Sequence, residues 1–105
     1  MTEFDPEKFE DKYEHYFPQL QRAYKQAFET MNDAYDSELI HAIDQQVLAE
    51  SEPFYEGDGE FRIELPEEPA ERLSGLMVVD DEKLETIMER YESEIESELQ
   101  TVFGL

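Results

Sequence analysis

Apolar residues recur along the first third of the chain at Phe9, Tyr13, Phe17, Leu20, Tyr24, Ala27 or Phe28, and Met31. Steps of three and four keep one helical face in phase. Pro18 removes the bond to Glu14 and disfavours α geometry at Phe17. The pattern therefore predicts a kink, or two helices over roughly 6–16 and 18–33. Leu39, Ile40, Ile43 and Val47 predict a helix over about 37–50. Leu84, Ile87, Met88, Tyr91, Ile95, Leu99 and Val102 predict one over about 81–103, with Gly104 as its stop. Three of these starts share one device, an apolar residue, then Asp, then a second apolar residue four positions after the Asp. They are Phe4-Asp5…Phe9, Tyr35-Asp36…Ile40 and Val79-Asp80…Leu84. An Asp at the N-cap accepts from unpaired backbone N–H groups, and the flanking pair fits a hydrophobic staple.

Between residues 51 and 79 the period changes. Glu60-Phe61-Arg62-Ile63-Glu64-Leu65 alternates, which predicts a strand with Phe61, Ile63 and Leu65 inward. Gly57-Asp58-Gly59 before it is a turn signal. Leu76-Met77-Val78-Val79 is the expected second strand, and Pro69 to Leu73 forms one helical turn on the way to it. The fold class expected is α+β, mostly α, with three to four helices packed on a small two-stranded β element in one domain, 1–105.

Charge changes this picture. The chain holds 29 Asp+Glu against 8 Lys+Arg, a net charge of −21 over 105 residues. Carboxylates three or four residues apart on a helix lie about 5–6 Å from one another. Each such pair repels by about 0.7 kcal/mol even at the dielectric of water. A Debye length of about 10 Å at 0.1 M leaves that repulsion in place, and about 3 Å at molar salt removes most of it. The composition thus points to a protein made for concentrated salt. Hydrophobic content of 39% argues against disorder. The absence of Cys excludes disulfides and thiolate chemistry and fits a cytoplasmic setting. No apolar run is long enough to span a membrane, and the acidic N-terminus shows no secretory signal. A basic footprint is missing, so no direct nucleic-acid binding is expected.

The acid is unevenly placed. Residues 1–35 carry a net −4, 36–70 a net −10 and 71–105 a net −7. No acid occurs between Glu14 and Glu29, where Arg22 and Lys25 do occur, and residues 39–49 hold only Asp44. Burial of the 18–33 helix accounts for part of the gap. Its polar positions Gln19, Arg22, Lys25 and Gln26 do not suit a core, and they form the candidate interface with a protein partner or a second copy.

Signals for chemistry are weak. Glu38-x-x-His41 has the spacing of a di-iron carboxylate helix, but His15, the other histidine, has only Asp11 or Glu14 near it. Glu56, Asp58 and Glu60 lack the EF-hand pattern, since Phe61 stands where its glycine belongs. The aromatics Phe4, Phe9, Tyr13, Tyr16 and Phe17 are interleaved with acids, so they suit core packing rather than a base-stacking platform. G-x-S-x-G, P-loop and G-x-G-x-x-G patterns are absent. No catalytic residue, cofactor or metal is expected.

Three stretches carry a resemblance over essentially the full length: Phe4-Asp5-Pro6-Glu7-Lys8-Phe9-Glu10, Asp36-Ser37-Glu38-Leu39 onward to Gln46, and Ser51-Glu52-Pro53-Phe54-Tyr55-Glu56-Gly57-Asp58-Gly59. On these the chain resembles a family of small acidic haloarchaeal proteins of unknown function. The resemblance implies a cytoplasm at molar potassium chloride and assigns no site residue. The function expected is a non-catalytic interaction or self-association module. A nucleic-acid mimic and a small metal-dependent enzyme are the alternatives.

Overall fold

The structure is a computed structural model and describes residues 4–74 and 80–105. In chain order it forms α1 (Pro6–Phe9), α2 (Lys12–His15), α3 (Phe17–Ala34), α4 (Ser37–Gln46), a 3₁₀ turn (Leu48–Glu50), β1 (Glu52–Gly57), β2 (Glu60–Glu64), α5 (Pro69–Ser74) and α6 (Asp81–Phe103). The fold is α+β and mostly α, as expected.

The three Asp residues cap as their spacing predicts. Asp5, Asp36 and Asp80 each accept from the backbone N–H two residues on, at 2.9, 3.1 and 2.9 Å. The Phe4–Phe9 staple closes, with ring centroids 5.6 Å apart. Val79, the apolar partner at the third start, lies outside the described residues, as does the strand expected over 76–79. Gly104 ends α6 in the left-handed region, at φ 71°.

Three helix boundaries differ from expectation. The stretch 6–16 is split at Glu10–Asp11, and the break before α3 falls at Tyr16 (φ −126°, ψ 18°) rather than at Phe17. Pro18 consequently stands in the first turn of α3, where a missing N–H costs nothing. The two breaks shift the helical phase. The buried series runs Phe9, Lys12, Tyr16, Leu20, Ala23, Ala27 and Met31, leaving Tyr13 and Phe17 exposed by 54% and 46%. Tyr16 is held inside because its hydroxyl accepts from the Asp5 N–H at 3.0 Å. The helix expected over 37–50 ends at Gln46 and tightens into the 3₁₀ turn.

The partner of β2 is β1, which the sequence reading missed. The strands are antiparallel, with Glu52 opposite Glu64 and Tyr55 opposite Phe61, and a bulge between Tyr55 and Gly57. Gly57 and Gly59 take φ of 95° and 78° with Asp58 at 53°, a turn that glycine and Asp tolerate. The Tyr55 hydroxyl accepts from the Gly59 N–H at 2.9 Å and ties the turn to the strand. Phe61 and Ile63 point inward as predicted, with Leu65 half-buried.

The most extensive pairing joins α3 to α6, and α6 also packs on β2. Ala23 and Ala27 are fully buried on α3, and Leu84, Ile87, Met88, Tyr91, Ile95 and Leu99 are buried on α6 as expected, whereas at its end Phe103 is buried and Val102, expected inward, is only half-buried. One end of the core is aromatic. Phe4, Phe9, Tyr16, Tyr55, Phe61 and Phe103 stack or meet edge-on with centroids from 4.8 to 6.3 Å apart. Each well-placed ring pair is worth about 0.5–1.5 kcal/mol beyond area burial.

Candidate docking groove

The phase shift in the N-terminal helices has a surface consequence. Tyr13 and Phe17, forced outward, form one wall of a groove of about 260 Å³ between α2–α3 and the segment entering β1. Gln21 continues that wall, and Leu20, Tyr24 and Leu48 line the groove beneath it. Ala49, Ser51 and Pro53 complete the lining. None of the nine lining residues is acidic, in a chain where more than a quarter of the residues are.

Hydrogen bonds fix this lining. The Ser51 hydroxyl donates to the Leu48 carbonyl at 2.7 Å, which leaves its oxygen to accept from the Tyr24 hydroxyl at 3.1 Å. Burial pushes the Tyr24 hydroxyl up to about 12, so it stays a neutral donor across the ordinary pH range. Burial, and then the charge of Glu52, also raise Tyr13.

Two carboxylates on the β1 side of the groove are engaged. Glu50 pairs with Arg72, and Glu52 lies 3.8 Å from the buried ammonium of Lys12. That ammonium sits over the rings of Phe9, Tyr13 and Phe54 at 5.3, 5.4 and 4.9 Å, facing a second hollow of about 590 Å³. Arg62 sits over Phe54 as well, at 4.8 Å. A desolvated cation on an aromatic face is worth about 2 kcal/mol and resists screening better than an exposed ion pair. Lys12 thereby pins α2 to β1 beside the groove. Nothing in its local pattern marks it as buried, since its spacing matters only once the helix breaks are known.

The structure places the four candidate interface residues on α3 as follows. Arg22, Lys25 and Gln26 are exposed, whereas Gln19 is half-buried with its Oε1 sealed and, among the described residues, without a partner. Arg62, Arg72 and Arg90 each meet a glutamate. Among the described residues Arg22 and Lys25 meet none. At 3.6 residues per turn, Lys25 follows Gln21 by one turn and Arg22 precedes Lys25 by one. Both cations therefore stand along the solvent side of the helix that walls the groove.

The alternative chemistries do not gather. The His41 ring is held by Ser37, with Nδ1 2.9 Å from its carbonyl, and meets Phe28 edge-on. Among the described residues no three His, Cys, Asp or Glu side chains approach one another as metal ligands would. Glu56 is taken by Arg62 at 2.7 Å. None of the described helices is long and apolar enough to cross a membrane.

Away from the groove, α6 carries Glu85, Glu89, Glu92 and Glu96 in a line at steps of four, three and four. Burial raises Glu92, and the charges of Glu96 and Glu89 raise it further. Burial and then the charge of Glu60 raise Glu96. On α6 the Tyr91 hydroxyl is fully buried and has no hydrogen-bond partner among the described residues. Burial, and then the charge of Asp44, raise its pKa.

A family model spans residues 1–105, and its description is Family of unknown function (DUF5783). No curated protein matches the chain, and no solved structure does.

Proposed function

The chain belongs to the family of unknown function DUF5783, and from that premise we propose that it is a non-catalytic protein–protein interaction module. It docks another polypeptide in the groove walled by Tyr13 and Phe17. One observation carries the reading: two exposed aromatic rings share a groove from which every carboxylate is absent, on a surface otherwise crowded with them. Large exposed apolar side chains that cluster and are rimmed by polar residues mark contact sites. The medium we propose is the concentrated salt of a haloarchaeal cytoplasm, where the repulsion among 29 acidic side chains is screened.

A second reading is favoured by the line of glutamates on α6. Carboxylates at steps of three and four lie about 5–6 Å apart and imitate a row of phosphates. A nucleic-acid mimic would use that line to occupy a DNA- or RNA-binding protein.

One experiment separates the two. Photo-cross-linking residues are placed at Phe17 or at Glu89, and the protein is irradiated in a lysate at about 2–3 M KCl, where screening is nearly complete. Docking in the groove predicts a single protein adduct, with another chain or another copy, from position 17 alone. An adduct from position 89 alone favours the mimic. No adduct from position 17, together with a strict monomer in light scattering, would sink the proposal.

A further inference from the structure

We infer that the hollow beside Lys12 binds a free amino acid, with Lys12 and Glu52 holding its two charged groups. This site is distinct from the docking groove, although Tyr13 walls both.

The hollow of about 590 Å³ has apolar walls made by Pro6, Phe9, Phe54 and Tyr55. Three charged side chains also line it, Lys12, Glu52 and Glu10. The Lys12 side chain is only 6% exposed, yet its ammonium makes no hydrogen bond among the described residues. Glu52 stands 3.8 Å away, beyond hydrogen-bond reach. The rings of Phe9, Tyr13 and Phe54 answer the charge but offer no oxygen to the N–H groups. Glu10 is exposed and meets no cation among the described residues. A desolvated donor left unfilled costs free energy, so a ligand oxygen at Lys12 gains more there than at the surface.

An open ion pair is matched by a second pair laid against it in the opposite sense. The carboxylate of an amino acid accepts from Lys12, and its ammonium donates to Glu52 or Glu10. Charges of opposite sign then alternate. A bare anion is opposed by both glutamates and by the net charge of −21, and a bare cation is opposed by Lys12. A zwitterion has no net charge, so only its contacts at the site count. Those contacts survive molar salt, where the screening length is about 3 Å. Phe54 and Tyr55 are half-buried, and each gives the hollow a ring on which the ligand side chain lies. Apolar walls with a few convergent polar groups suit a small molecule. The ligand class is therefore an amino acid with an aromatic or branched aliphatic side chain.

The test is an NMR titration of the full chain at about 2 M KCl, following the rings of Phe54 and Tyr55. The probes are L-phenylalanine, 3-phenylpropionate, which lacks the ammonium, and 2-phenylethylamine, which lacks the carboxylate. L-phenylalanine should shift both rings, with half-saturation at about 1–10 mM. Each truncated probe should bind about tenfold more weakly. Glu10→Gln, at an exposed position, should weaken L-phenylalanine about threefold. Lys12→Gln should abolish the shifts, with circular dichroism to show that its helices persist. If that variant unfolds, the truncated probes on the unaltered chain decide the matter.

Equal binding of 3-phenylpropionate would make this an anion site and overturn the inference. Equal binding of 2-phenylethylamine would make it a cation site, with the same consequence. Shifts that survive in a folded Lys12→Gln variant, or no shift with L-phenylalanine well above that range, would also overturn it. None of these results touches the cross-link from position 17, so the docking reading stands or falls separately.

Discussion

α3 and α6 lie against each other and are charged in opposite styles. α3 has two acids and two bases, and α6 has eight acids and two bases. Both bury a continuous apolar stripe, so the core does not explain the difference. It lies on the outer faces. The acids of α6 run to its C-terminal end at Glu94, Glu96 and Glu98, where negative charge opposes the helix dipole. On that helix local stability has been set aside for surface charge. On α3 the surface charge has been set aside, and beside it two aromatic rings are left in solvent. The pair teaches that composition is a surface property assigned face by face, and that an exception to it is more informative than the average.

The largest effect expected comes from the shared core, where the two helices should behave alike. Leu99→Ala, at a fully buried site on α6, should cost about 2–5 kcal/mol in denaturant unfolding. Ala27→Leu on α3 should cost about 1–3 kcal/mol by overpacking the same interface. A negligible cost at either site would break the assignment of one joint core.

The next effect should divide the helices. Three adjacent pairs in the line Glu85, Glu89, Glu92 and Glu96, at about 0.7 kcal/mol each, oppose folding by about 2 kcal/mol in dilute buffer. Moving the protein from about 3 M to 0.1 M KCl should therefore loosen or unfold it, as the screening length grows from under 3 Å to about 10 Å. Full helicity and cooperative melting in dilute buffer would contradict this. E92Q/E96Q removes two of the three pairs and should recover about 1.4 kcal/mol at low salt and almost nothing at high salt.

The same two glutamates set a pH dependence. Their folded pKa values are raised, so the folded state binds protons more tightly than the unfolded chain. The stability this contributes is fully present below the ordinary Glu value of 4.5 and is lost as pH rises through the raised values. At low salt the melting temperature should fall between pH 4.5 and neutrality, by less in E92Q/E96Q. A rise over that range would refute the assignment.

The smallest effect on stability belongs to the groove. Phe17→Ser removes an exposed ring and should change unfolding by no more than about 0.5 kcal/mol. A loss comparable to Leu99→Ala would recast that ring as structural and remove the contrast between the helices.

Much of this was readable from local pattern. The Asp caps at 5, 36 and 80 were legible because a cap needs only its own next few residues. α6 was legible because an uninterrupted stripe over its 23 residues admits one period. The acid gap beside Arg22 and Lys25 was legible because it is a matter of composition. β1 was not, because Glu52-Pro53-Phe54-Tyr55-Glu56 contains a proline and does not alternate cleanly. Its strand character comes from pairing with β2 across a bulge.

The sequence by itself determined where α1, α4 and α6 begin, which residues of α6 from Leu84 to Leu99 face inward, and where acid is withheld. Those depend on neighbours within a turn or two. Only the tertiary structure decided that Lys12 and Tyr16 turn inward while Tyr13 and Phe17 turn out. Two breaks, at Glu10–Asp11 and at Tyr16, reset the helical phase, and contacts with Asp5, Glu52 and Phe54 hold the new one. The groove follows from that rotation. Its other side comes from Leu48 to Pro53, which no periodicity within α2 or α3 could have brought there.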